Sequence, residues 1–217
     1  MLEVNEDEIE FKDGEFVALK SNKKKTIGEV AFACYLPGQR DEMKSPIPEG
    51  DEPGLIESSF FDPANFSFPA GSHICEVEID PKTGKVQFCS YVVVEDVGTV
   101  INPELVEGQI HGGISQGIGQ ALGEILRFDR QGQLLTGSFL DYPMPVAASF
   151  PRFRVKTIAV PTKINPLGAK GVGEAGTVGS LAATMNAISD ALACAGVVDF
   201  EMPATPYRVW KALNPGF

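Results

Sequence analysis

Apolar residues recur with a helical period in the last third of the chain. Between residues 177 and 195 they follow the i, i+3, i+4 spacing of one helix face, at Val178, Leu181, Met185, Ile188 and Leu192. This spacing predicts a long helix that begins beside Glu174. A last helix is predicted after Thr205-Pro206, because Thr is a favoured N-cap and Pro a favoured first helical residue.

Alternating and turn-forming residues predict strands in the rest of the chain. Apolar and acidic residues alternate over 75–79, and the turn residues 80–85 lead into the apolar run 86–94, which predicts a β-hairpin. A second hairpin is predicted around Asp13-Gly14, followed by a capping box from Thr26 to Glu29 and a short helix that ends near Tyr35. A further pair of strands is predicted around Leu134 to Leu140 and Phe153 to Val160.

This order of elements predicts an α+β fold in which helices pack on a mixed or mostly antiparallel sheet. We divide the chain into an N-terminal hairpin with a short helix (1–36), a long connecting loop rich in Pro, Gly and acidic residues (37–69), and the main α+β unit (70–217).

A carboxylate among glycines precedes the long helix, in the segment Lys170-Gly171-Val172-Gly173-Glu174-Ala175-Gly176. Three interpretations are open. Gly171, Gly173 and Gly176 match a dinucleotide fingerprint, although loop residues rather than a strand precede them and Glu174 would repel a pyrophosphate. Glu174 is alternatively a general base at the edge of a bound cofactor. It is otherwise an ordinary acidic residue that the helix dipole favours.

A second glycine-rich segment, residues 108–123, keeps a helical period of Ile and Leu despite six glycines. Each interior glycine costs about 1 kcal/mol relative to Ala. We therefore expect close approach by another backbone or by a ligand. Ser115 and Gln116 could meet a polar cofactor. A membrane helix is excluded here, because polar residues interrupt every apolar stretch well below about 20 residues.

Charge and composition exclude several classes of function. The net charge of −11 argues against nucleic acid and acidic membranes as partners. The acidic N-terminus resembles no signal peptide, so we expect a cytoplasmic protein without membrane insertion. The four widely spaced cysteines predict reduced thiols rather than an iron–sulfur cluster, and His73 and His111 are too isolated for a zinc site or a Ser-His pair. We predict no metal-ligating side chains.

The motifs together resemble, in the same order, the C-terminal part of the molybdenum-binding large subunit of the xanthine dehydrogenase, aldehyde oxidase and carbon monoxide dehydrogenase family. The resemblance rests on residues 92–103 (VVVEDVGTVINP), 107–119 (EGQIHGGISQGIG), 141–145 (DYPMP) and 165–176 (NPLGAKGVGEAG). It implies that the main α+β unit is a molybdopterin-binding domain.

The resemblance also implies an activity and a site. Glu174 would be the catalytic base in the oxidation of an aldehyde, a heteroaromatic compound or carbon monoxide with water-derived oxygen. Cofactor contacts would come from Ser115 and Gln116 and from the main chain of Lys170, Gly171, Val172 and Gly173. The cofactor would be molybdenum-molybdopterin, expected in the cytosine dinucleotide form and shared with a larger molybdenum-binding chain.

Separate iron–sulfur and FAD subunits would carry the electrons, since we expect neither an iron–sulfur cluster nor a flavin in this chain. The chain alone would then be inactive, because the substrate pocket and other cofactor loops lie in sequence that it lacks. The alternative is a non-catalytic scaffold or regulatory binding subunit that keeps the fold and works without cofactor.

Overall fold

The computed structural model describes residues 1–35 and 52–216, which form two compact units, Met1–Asp62 and Pro63–Phe217. Much of the predicted connecting loop, residues 37–51, lies outside the described residues, so the domain boundaries drawn from the sequence stay predictions.

The first unit contains a small antiparallel sheet and a short helix. The predicted hairpin around Asp13-Gly14 is confirmed, with Gly14 in the left-handed region at φ 82°. The capping box is confirmed as well: the Glu29 N–H donates to Thr26 Oγ1 at 3.2 Å, and the Thr26 N–H donates to the Glu29 carboxylate at 3.0 Å. The elements are β1 (Ile9–Lys12), β2 (Glu15–Ala18), β3 (Lys24–Thr26) and α1 (Ile27–Tyr35).

The second unit is an α+β layer with a three-stranded mixed sheet, as predicted. The strand order is β4-β5-β6, in which β4 and β5 are antiparallel and β5 and β6 are parallel. The elements are β4 (Ala70–Ile79), β5 (Val86–Asp96), α2 (Pro103–Leu122), β6 (Arg154–Thr157), α3 (Ala175–Ala193) and α4 (Pro206–Leu213).

The predicted strand around Leu134 to Leu140 is wrong. That stretch makes a single bridge, between Phe128 and Leu134, and then turns. The free edge of β5 is taken instead by β6, whose Val155 lies opposite Val93. The apolar residues beyond Leu134 stay outside the sheet, and Leu140 is 94% exposed.

The core lies between β5 and the two long helices. Tyr91 and Val93 of β5, and Val97 directly after it, lie in a cluster that includes Ile110, Ile114 and Ile118 of α2. All are at most 2% exposed. The sheet and α2 therefore share one apolar interior.

Helices α2 and α3 meet through glycines. A Cβ atom at Gly113 would lie 2.8 Å from the Thr177 nitrogen and 3.0 Å from the Gly176 Cα. Gly117 is equally crowded by Thr177 and Leu181 of α3. The expected compensation for helical glycines is thus the close approach of another backbone. Among the described residues, no helix is long and apolar enough to cross a membrane.

Candidate active site

The loop before α3 is fastened to the end of β5. The Lys170 N–H donates to the Val97 carbonyl at 2.9 Å, and the Thr99 N–H donates to the Gly168 carbonyl at 3.0 Å. The Lys170 ammonium also binds the Asp96 carboxylate at 2.5 Å, and this contact holds the pKa of Asp96 below its usual range. Lys170 therefore anchors the loop with both its main chain and its side chain.

Beyond this anchor, three consecutive amides are unused. Within the part of the chain that the structure describes, the N–H groups of Gly171, Val172 and Gly173 donate to no other group. The Val172 side chain packs against the core, while the Cβ positions of Gly171 and Gly173 have no heavy atom within 4 Å. The loop thus offers amide donors and open space, as a cradle for a polar ligand requires.

Glu174 is the N-cap of α3, and its side chain makes no capping hydrogen bond. Its carbonyl oxygen accepts the Thr177 and Val178 N–H groups at 3.0 and 3.1 Å, which fixes the backbone and leaves the carboxylate exposed. No strand runs into Gly171, because β6 ends at Thr157. The local structure required of a dinucleotide fingerprint is therefore missing.

Gln116 is brought to the same end of α3 as Glu174. Its Oε1 accepts the Thr177 hydroxyl at 3.0 Å, so the amide of α2 lies beside the first turn of α3. Ser115 is turned toward its own helix, where its hydroxyl donates to the His111 carbonyl at 3.0 Å. Among the described residues its hydroxyl makes no hydrogen bond to an imidazole, consistent with its weakness as a hydrolase nucleophile.

A cavity of about 530 Å³ opens beside this loop. Glu174, Gly171 and Gly173 lie along one side, and Phe68 and Val178 contribute apolar surface. Neither Lys170 nor Val172 lines it, and Ser115 and Gln116 lie outside it. The structure thus brings Glu174 together with the glycines of the loop, and places Gln116 nearby through Thr177.

The cavity also contains a buried pair that the sequence interpretation missed. His73 Nε2 lies 2.8 Å from Glu95 Oε1, and their side chains are 4% and 2% exposed. His73 Nδ1 lies 2.8 Å from the Tyr91 hydroxyl. The signal for Glu95 was present in the sequence: it continues the series Tyr91, Val93, Val97 that faces the core, where a carboxylate requires a partner.

Comparison with known proteins identifies the family. The family model of the molybdopterin cofactor-binding domain matches residues 1–151. The chain is 40% identical over 215 residues to the carbon monoxide dehydrogenase large chain of Hydrogenophaga pseudoflava, covering 99% of this chain and 26% of that one. It is 41% identical over 214 residues to the nicotine 6-hydroxylase large subunit of Paenarthrobacter nicotinovorans, covering 98% and 25%. The chain therefore belongs to the molybdopterin cofactor-binding domain family, as the motifs predicted.

A solved structure agrees with this assignment. Quinoline 2-oxidoreductase from Pseudomonas putida 86 superposes with a TM-score of 0.85 at 34% identity, over 98% of this chain and 26% of that one. The chain thus spans about a quarter of the length of the relatives that it matches.

The residues present fit a molybdopterin group. The three unused amides and the open glycine positions suit a cofactor rich in hydrogen-bond acceptors. Among the described residues, no cluster of His, Cys, Asp or Glu could hold a metal ion directly.

Proposed function

We propose that this chain forms one wall of the active site of a molybdenum hydroxylase, with Glu174 as the catalytic base. The observation that carries the proposal is a carboxylate at the N-terminus of α3 that has no hydrogen-bond partner among the described residues, beside a cavity and next to three unused amides. These groups are exposed and water can solvate them, so the fold does not require a ligand; what favours one is that the glycines of the loop and the carboxylate border a single cavity.

Each residue has a separate part in the proposed reaction. When bound, molybdenum-molybdopterin supplies Lewis acidity and takes up electrons. Glu174 accepts the proton from the oxygen that attacks the substrate carbon, and the positive end of the α3 dipole favours its ionised form. The N–H groups of Gly171, Val172 and Gly173 donate to the cofactor, and Lys170 holds them in place through Asp96.

The helix α2 forms the second part of the wall. The Gln116 amide, with its oxygen held by Thr177, presents its N–H donors to the pterin, and Ser115 lies one residue away on the same helix. We expect the cytosine dinucleotide form of the cofactor in a cytoplasmic enzyme. Its substrate is a small molecule of the aldehyde, heteroaromatic or carbon monoxide type.

The proposed enzyme needs more sequence than this chain contains. A larger molybdenum-binding chain would supply the rest of the site, and iron–sulfur and FAD subunits would carry electrons away. The chain by itself would be inactive. The substrate is left open, because identity is nearly the same to a carbon monoxide dehydrogenase (40%) and to a nicotine hydroxylase (41%).

The first test is purification from the native host, with molybdenum content and stoichiometric partners measured together. Molybdenum that co-purifies with a larger partner supports the proposal. A stoichiometric partner without molybdenum contradicts it and favours the scaffold, whereas a monomer without metal contradicts any shared active site.

A pair of variants then tests the loop itself. A side chain at Gly173 would enter open space beside the cavity without meeting protein, so Gly173→Val should leave thermal stability unchanged and lower molybdenum content. Gly108→Val is the matched control, since Gly108 is also open and exposed on α2 but lies about two helical turns before Gln116. Equal molybdenum content in the two variants would contradict a cofactor contact at Gly173.

A further inference from the structure

Glu95 occupies a buried position, where an apolar side chain would cost less free energy to remove from water than a carboxylate does. It is 2% exposed and faces the core from β5. Gly71 lies directly opposite on β4, and a Cβ atom there would overlap the Glu95 carboxylate. The sheet therefore has a space shaped for this carboxylate, at the point where β4 and β5 border the cavity.

His73 is held on both sides of its ring. Nε2 contacts Glu95 and Nδ1 contacts the Tyr91 hydroxyl, each at 2.8 Å, and the imidazole and phenol rings stand edge to face at 5.8 Å. An imidazole with both nitrogens engaged has one orientation. The three side chains are thus a fixed chain of hydrogen bonds that runs from the core to the cavity.

The His73 ring also contacts α3. A Cβ atom at Gly179 would overlap the ring, so the helix rests directly against it. Gly179 lies five residues after Glu174, in the helix that Glu174 caps. Because a helix is a rigid element, the His73 ring helps to set the distance of α3 from the sheet, together with the backbone contacts that α3 makes with α2.

We propose that the Glu95–His73–Tyr91 chain positions Glu174 at the cavity. The three residues are positioning residues, and this role rests on the proposed function of Glu174 as the base. Packing alone does not account for the pair, because two buried hydrogen-bonded partners can often both be replaced by apolar residues of the same shape with little loss of stability. The hydrogen bonds give a fixed orientation that apolar side chains do not provide.

The test uses the molybdenum-loaded enzyme that contains this chain. The double variant His73→Leu with Glu95→Leu removes the hydrogen bonds and keeps the volume. We expect an unchanged thermal midpoint and molybdenum content, and faster deuterium exchange in peptides that cover residues 170–180. The control is Glu78→Gln, on the exposed face of β4, which should exchange as the wild type does.

Activity gives a second measurement. With carbon monoxide, nicotine or quinoline as substrate and a dye as electron acceptor, the double variant should lose about 10²-fold in kcat with KM unchanged, as a displacement near 1 Å would cause. His73→Gln should recover most of kcat, because its amide can donate to Glu95 and accept from Tyr91. If the double variant fails to fold, Tyr91→Phe, which removes one hydroxyl, should show the same faster exchange on a smaller scale.

Three results overturn the proposal. The first is deuterium exchange at residues 170–180 that is unchanged in folded variants. The second is equal kcat for the Leu double variant and for His73→Gln, which would leave the ring no role beyond filling space. In a Glu174→Gln background, the substitutions at His73 and Glu95 should cause no further loss of kcat, because they act through Glu174. A fully active Glu174→Gln enzyme would instead refute the proposed function. The third result is an inactive Glu174→Gln enzyme together with fully active variants of His73 and Glu95, which refutes only the positioning role.

Discussion

The contact between α2 and α3 can be tested with two neighbouring glycines of α2. Gly113 faces the backbone of α3, whereas Gly112 has no heavy atom within 4 Å of its Cβ position. Replacing either by Ala gains about 0.8–1 kcal/mol of helix propensity. That gain is the same in both variants, so the difference between their free energies of unfolding measures the cost of the contact with α3 alone.

The magnitude follows from what a Cβ at Gly113 would meet. Its neighbours at 2.8, 3.0 and 3.1 Å are main-chain atoms of residues 176 and 177, which cannot move away by changing a rotamer. Overpacking of this kind costs about 1–3 kcal/mol, and rigid neighbours place it near the upper value. The free energies of unfolding of Gly113→Ala and Gly112→Ala should therefore differ by about 3 kcal/mol.

Thermal unfolding followed by circular dichroism measures this difference. For a chain of this size 1 kcal/mol corresponds to about 2–4 °C, so the midpoint of Gly113→Ala should lie roughly 6–12 °C below that of Gly112→Ala. Gly112→Ala should melt slightly above the wild type. Midpoints that agree within about 2 °C would refute the direct backbone contact between the helices.

Two further predictions concern titration. The lowered pKa of Asp96 means that its ion pair with Lys170 stabilises the fold above the unfolded pKa of about 3.9 and is lost as pH falls through the folded value. Asp96→Asn should thus be less stable than the wild type in urea at pH 6, and the difference in their free energies of unfolding should shrink below about pH 4. A difference that stays constant with pH would contradict the ion pair. Burial raises the pKa of the Cys75 thiol to about 11, so at pH 8 a thiol reagent should modify exposed Cys89 first, and equal rates would contradict this burial.

The sequence predicted those parts of the fold that depend on neighbouring residues. The Thr205 hydroxyl accepts the Arg208 N–H at 3.4 Å, where the Thr-Pro pair predicted a helix start. Glu174 likewise lies at the predicted helix start. Such signals are local, because a cap contacts groups within the next three residues.

Pairings between distant residues could not be predicted in this way. The parallel register of β6 joins segments about 60 residues apart, and the Lys170 contact with Asp96 spans 74 residues. The His73 contact with Glu95 depends on the register of β4 against β5, which shifts at an irregularity between Glu76 and Val77. A shift of one residue changes which side chains meet, so alternation alone does not bring these two together. The roles of the candidate site residues stay predictions.

The most direct measurement of the central proposal is the molybdenum content and turnover of Glu174→Gln in the assembled enzyme, beside Glu104→Gln on the surface of α2 as a control. The substitution keeps size and removes the base, so we expect normal molybdenum content and a loss of about 10²- to 10⁴-fold in kcat. Normal turnover with a full complement of molybdenum would contradict the assignment of Glu174 as the catalytic base.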